Sequence, residues 1–227
     1  FVMKCGTHCP RHLPAHVHSD SLSFDLYKNG NLVFAEAGCS GYDNLDRRKY
    51  ERSGKAHNIF QLGLPAKYNI NIQNVNWIES IDVWERFRAA RKSTCLKRSC
   101  EINKNNEITI IGSYDTYIRF GADYQRKIKI RLLDKGFLSL KIMELVNCKR
   151  NLFWRQIFHL SKDCNEKLLL NHCKKMKKDY SANINWEDQY YSNEFGKLNI
   201  SKSLIVSGFL VKGSHVINSE LLIPPTL

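Results

Sequence analysis

The sequence contains no run approaching the roughly 18–20 apolar residues of a helical membrane span, so no such span is expected. It also lacks a CxxC pair, an internal repeat and any linker rich in Pro, Gly or Ser. Without linker or repeat, the expectation is one domain over residues 1–227. The eight cysteines, at 5, 9, 39, 95, 100, 148, 164 and 173, are scattered. Cys5 and Cys9 stand near His8 and His12, but the second close pair of a zinc knuckle is missing. Reduced, partly buried thiols are therefore expected, with disulfide pairing left open. Acidic residues are the minority: 22 Asp and Glu face 35 Lys and Arg, giving a net charge of +13. That excess points to an anionic partner or to a solvated lysine-rich surface. Nucleic acid is disfavoured, because the densest basic stretch, Lys174-Lys175-Met176-Lys177-Lys178, is short and stands alone. The first residues, Phe1 to Gly6, have neither a signal peptide nor an initiator Met, and read as the middle of a strand in a longer protein.

Helical periodicity is also scarce, and strand patterns take its place. Leu22-Ser23-Phe24-Asp25-Leu26-Tyr27 alternates, Lys28-Asn29-Gly30-Asn31 turns, and Leu32-Val33-Phe34-Ala35 returns. Arg126 to Leu132 and Phe137 to Ile142 form a second hairpin about Asp134-Lys135-Gly136. Further strands are expected at 108–111, 117–120, 153–160, 166–172, 197–207 and 209–222. Short strands without intervening helices predict an all-β, antiparallel stacked-sheet sandwich with few or no helices.

Histidines gather at the front of the chain. In His16-Val17-His18-Ser19-Asp20, two imidazoles and a carboxylate alternate, so an extended strand would place all three on one face. This arrangement offers ligands to one metal, or a ligand beside an acid–base group; hydrogen bonding in a loop is the other reading. Glu36-Ala37-Gly38 follows the first hairpin, and Ala56-His57-Asn58 precedes an apolar strand start. Two histidines and a carboxylate form a common zinc ligand set.

Leu13-Pro14-Ala15-His16-Val17-His18-Ser19-Asp20-Ser21-Leu22-Ser23-Phe24 resembles the PAHxHxDxLSF signature of the heparinase II/III family, carried by the C-terminal β-sandwich domain of those polysaccharide lyases. The resemblance continues at Asn29-Gly30, at Glu36-Ala37-Gly38, at Tyr50-Glu51-Arg52-Ser53 and at Ala56-His57-Asn58. Val83-Trp84-Glu85-Arg86-Phe87-Arg88-Ala89-Ala90-Arg91 is similar to the family's W-x-x-F-R-x-x-R segment. It is strongest over residues 12–92. Glu36 stands where the family usually has Asp, and Gly54 where it usually has Thr.

The resemblance implies β-elimination on a uronic-acid-containing polysaccharide. It makes His16 the acid–base group or the neutraliser of the uronate. It makes Arg52, Arg88 and Tyr50 substrate-binding residues, with Arg47, Arg48, Arg86 and Arg91 as further cations for uronate or sulfate. A structural Zn2+ is expected on His18, Glu36 and His57, since the two legs of the 22–35 hairpin bring His18 and Glu36 together. A hydrogen-bonded His–Glu–His cluster without metal is the alternative. Asp20 and Ser23 orient the histidines or close strand hydrogen bonds. His159 reads as a satisfied core histidine, and no role is assigned to His8, His12, His172 or His215. The family's N-terminal α/α toroid, which supplies a catalytic Tyr, is the implied partner, so the isolated chain is expected to be nearly inactive. A non-catalytic module that binds acidic glycan is the competing function. The compartment stays open: periplasm or secretion follows from the resemblance, whereas scattered cysteines suit a reducing cytoplasm.

Overall fold

The computed structural model describes residues 1–10, 12–65, 74–84 and 87–226. At the front, β1 (Val2–Met3), β2 (Phe24–Lys28) and β3 (Asn31–Phe34) form a small antiparallel sheet. Asn29 and Gly30, with φ of 50° and 82°, supply the left-handed pair that turns the expected hairpin.

Two five-stranded antiparallel sheets make up the body. One has the order β15 (Gly213–Ile223), β11 (Leu138–Cys148), β10 (Ala122–Leu132), β9 (Ile108–Tyr114), β8 (Cys95–Ile102). The other runs β13 (Asn183–Tyr191), β14 (Asn199–Leu210), β12 (Leu152–His159), β4 (Phe60–Pro65), β5 (Val75–Trp77). A ribbon of β6 (Ile81–Val83) and β7 (Ala89–Lys92) stands apart from both. The sandwich follows from period-two alternation. On β10, Ile128 and Ile130 are buried while the lysines between and beside them are half-exposed. Those isoleucines join Ile142, Phe60, Trp154, Phe158 and Leu204 in one core shared by the two sheets and the front hairpin.

Two expected strands are something else. Residues 117–120 lie in a 3-10 turn, Asp115–Phe120, closed by Gly121 in the left-handed region. Residues 166–172 form a 3-10 turn, Glu166–Leu169, that runs into a helix, α2 (Leu170–Tyr180). The buried residues there, Leu169, His172, Cys173 and Met176, are spaced i, i+3, i+4 and i+7, which is a helical stripe hidden beneath a leucine run. A shorter helix, α1 (Leu45–Arg52), starts at Asn44, whose side chain accepts the Arg47 amide at 2.9 Å.

Inside the sandwich a charged pair is shut away from water: Arg126 and Glu144 are both 0% exposed. Arg126 on β10 donates Nε and Nη2 to the Glu144 carboxylate on β11 at 2.7–3.2 Å. Tyr124 and Gln156 complete the acceptor side at 2.8 and 3.0 Å, and Ser219 holds Gln156 from β15. The second guanidinium arm, Nη1, leaves the sheet and donates to the main-chain carbonyls of Leu22 and Asn58 at 2.6 and 2.9 Å. Those two residues flank the histidine-bearing loops.

Glu144→Ala leaves Arg126 charged and unpaired in the core, so a loss of about 3–5 kcal/mol in urea unfolding is expected. A second expectation concerns pH. Burial holds the His172 imidazole down at about 4, so the unfolded chain takes up its proton first as pH falls below the ordinary histidine range. His172 therefore makes stability fall between about pH 6.5 and 4. Unfolding curves across that window should be flatter in His172→Phe.

Candidate functional site

The His16–Asp20 segment is not a strand. His16 has φ of 56° and Leu22 of 62°, and the Ser23 amide turns back to the Asp20 carbonyl at 3.0 Å. The loop is held by main-chain contacts: His16 N–H to Phe87 O at 3.0 Å, Ser19 N–H to Arg52 O at 2.9 Å and Leu22 N–H to Lys4 O at 2.8 Å. The left-handed residue at His16 breaks the alternation. His16 is exposed and stacks on Phe87 with centroids 4.5 Å apart, whereas His18 and Asp20 turn inward. The common face expected for all three is thus reduced to His18 and Asp20.

The two inward groups meet His57. One ligand atom each from His18, Asp20 and His57 lies within 4.8 Å of the other two, and the His18 and His57 rings are 5.4 Å apart. Glu36, expected as a ligand, stands behind this group. Its Oε2 takes the hydrogen bond of His57 Nδ1, and its Oε1 accepts the Asn58 amide at 3.1 Å. With both Glu36 oxygens engaged, the carboxylate that faces the histidines is Asp20. Gly38 lets the chain after Glu36 pass this close: its φ is 68°, and a Cβ there would sit 2.0 Å from Ser192 O.

His57 tests whether a metal fits. Its ring is buried, Nδ1 is bound by Glu36, and Nε2 has no hydrogen-bond partner. A carboxylate behind one ring nitrogen, with the other left bare beside an imidazole and a second carboxylate, is how proteins orient a metal-binding histidine. The donor set fits a divalent cation of the kind that favours nitrogen and oxygen.

Charge distribution agrees with this geometry. Burial, and then the neighbouring His57, push His18 down to about 3, which keeps it neutral. Burial raises Asp20, but His57 and Lys4 outweigh it and leave the group below the usual carboxylate range. Lys4 donates to Asp20 Oδ2 at 2.5 Å. A cavity of about 440 Å³ opens beside the cluster, lined by Lys4, His8, His16, His18, Asp20 and Arg98. His8 lies 3.0 Å from Ser21 Oγ and 3.2 Å from Ser93 Oγ, with Nδ1 3.8 Å from Asp20. Asp20 stood in the motif two residues after His18 and was legible there as an orienting group. Lys4, just past β1, and Arg98, on β8, reach the site from other parts of the chain and give no local signal.

The three substrate-binding candidates separate. Arg52 is buried, and its guanidinium donates to the carbonyls of Val17, Trp84, Phe87 and Arg88 at 2.9–3.3 Å. It fixes main chain around the site. Tyr50 donates its hydroxyl to Gln189 on β13, which docks α1 against the second sheet. Arg88 is exposed. Arg86 lies outside the described residues. His159 is the expected satisfied core histidine, bonded to Ser203 Oγ and Lys55 O. All eight cysteines are free thiols.

Asn58 links the site to the core. Its Nδ2 donates to Phe24 O and Ala35 O at 2.8 and 3.0 Å, and its Oδ1 accepts the His159 amide at 2.6 Å. Asn58→Asp puts acceptor against acceptor at two buried carbonyls, so a destabilisation of more than about 2 kcal/mol is expected in thermal or urea unfolding despite the unchanged shape.

The chain is similar over its fold to solved structures. Heparan sulfate lyase HepC from Pedobacter heparinus superposes with a TM-score of 0.60 at 14% identity, covering 92% of this chain and 31% of that one. A heparinase III gene product gives 0.57 at 14% identity, covering 92% and 30%, and its form with methylated lysines gives 0.56 at 14%, covering 98% and 31%. The chain thus spans about a third of the length of these proteins. No curated protein sequence matches it. The family profile described as Heparinase II/III-like, C-terminal matches residues 1–220, and the chain belongs to that family.

Proposed function

We propose that this chain is the C-terminal sandwich domain of a longer polysaccharide lyase that cleaves a uronate-containing polysaccharide by β-elimination. The observation that carries the reading is His16, exposed on a cavity that collects Lys4, His8 and Arg98 beside the His18–Asp20–His57 cluster. The family match over residues 1–220 and the likeness to a heparan sulfate lyase and a heparinase III support the substrate class.

The uronate C5 proton lies beside a carboxylate and is only weakly acidic. Removing it builds negative charge on that carboxylate, so a proton acceptor and fixed cations must surround one sugar. Lys4 and Arg98 supply cations along the cavity. His16 is the proton-transfer or neutralising group; its stack on Phe87 and the hydrogen bond its main-chain N–H donates to Phe87 O hold the residue in place. Arg88 is the exposed guanidinium available to a uronate or sulfate, while Arg52 and Tyr50 act as positioning residues. His18, Asp20 and His57 would hold zinc, with Glu36 orienting His57. When bound, zinc would supply a fixed charge joining the 16–23 loop to the 57 segment, which Glu36 braces through His57; elimination uses no hydroxide nucleophile, so that role would be structural. The second proton-transfer group is assigned to the toroid domain of the full-length protein.

The test is the absorbance of unsaturated uronate released from a panel of uronate polymers. Full-length protein should turn over, and His16→Ala should lower kcat by about 100-fold or more. The 227-residue chain alone should be nearly inactive; robust turnover by it defeats the split site. Full-length protein that binds such a polymer without cleaving it would be a glycan-binding module instead. Elemental analysis should find about one zinc per chain, lost in His57→Ala; a metal-free parent defeats the zinc assignment.

A further inference from the structure

A second cavity, of about 530 Å³, lies between α1 and the end of β6. Leu45 and Trp84 line it and are 63% and 56% exposed, large apolar groups left open to water. Its charged lining is Arg48, Lys49 and Arg52 against the single carboxylate of Asp46 among the described lining residues. Arg48 is the informative member. It is 6% exposed, yet its Nε has no hydrogen-bond partner. Its Nη1 reaches Glu51 Oε2 at 3.3 Å, but Glu51 already accepts the Ser40 amide and hydroxyl at 2.9 and 2.5 Å on its other oxygen. That nitrogen is itself closed off from solvent, so Arg48 contributes positive charge behind the cavity wall, while the exposed indole and Lys49 form its open face.

We propose that this cavity is an outlying subsite for an anionic pyranose, separate from the His16 cavity. The apolar face of a sugar ring lies on the Trp84 indole, and its carboxylate or sulfate pairs with Lys49, with the Arg48 charge behind it. The choice of an acidic sugar rests on the lyase reading above; the cavity, the exposed indole and the basic lining do not. The placement suits a polymer. From His16 the surface passes to Phe87, then to Tyr42 with ring centroids 4.9 Å apart, and Arg48 lies 5.6 Å over the Tyr42 ring. Two aromatic rings thus connect His16 to Arg48, which lines the Trp84 cavity. The subsite grips a neighbouring sugar and takes no part in proton transfer.

Calorimetric titration of the 227-residue chain with a heparin-derived hexasaccharide, and with maltohexaose as the neutral control, tests the proposal. Trp84→Ala should weaken hexasaccharide binding about tenfold, and Lys49→Ala about threefold. Maltohexaose should bind far more weakly. Both substituted side chains near the cavity are solvent-facing, so these variants keep the fold. Absence of hexasaccharide binding by the parent, affinity indifferent to Trp84→Ala and Lys49→Ala, or equal affinity for maltohexaose overturns the subsite. Lyase turnover by the full-length protein alongside any of those results overturns the subsite alone. Trp84-dependent binding in a full-length protein without turnover overturns the lyase reading and leaves the subsite standing.

Discussion

The buried Arg126–Glu144 pair is the constraint from which the site takes its position. Two charges shut inside a sandwich are tolerable only when every donor and acceptor has a partner. Here the carboxylate draws those partners from Tyr124, Gln156 and Arg126 itself, which ties β10 and β11 to β12. What the sheets do not use is one guanidinium arm, and it holds Leu22 and Asn58. The segment after the Asp20 turn and the segment after His57 are thereby fixed to the same nitrogen. The convergence of His18, Asp20 and His57 is thus a property of the core as much as of the loops.

A division of labour follows among the polar side chains. Asn58 and Arg52 satisfy main-chain carbonyls, Glu36 orients an imidazole, and His16 and Arg98 face open space. The first three are buried or nearly so and act on geometry, while the last two carry the exposed chemistry. The same division separates the two cavities. The His16 side is bounded by loops held through Arg52 and Lys4, and the Trp84 side by α1, whose Tyr50 is bonded to β13.

Much of the sheet framework was legible because alternation and turn chemistry are local. The Asn29-Gly30 turn and the 126–142 hairpin follow from residues adjacent in sequence. α2 was not, because Leu168-Leu169-Leu170 imitates a strand run while its burial stripe needs the wider window through Met176. The strand reading of His16–Asp20 failed for a related reason: a single left-handed residue at His16 cancels a period-two pattern, and nothing in a histidine announces that conformation. The histidine cluster was legible from motif order. That Asp20 and not Glu36 faces both histidines was not, since it depends on which carboxylate already has its oxygens engaged.

The Arg52 clamp has an evolutionary corollary. Its guanidinium grips carbonyl oxygens at Val17, Trp84, Phe87 and Arg88, groups that every amino acid carries. The path of the rim is therefore independent of the side chains displayed on it. Replacing the residues at 84, 87 and 88 changes what the rim presents without moving the backbone that presents it. A scaffold of this kind can diversify the surface it displays one side chain at a time while the histidine cluster behind it stays in register.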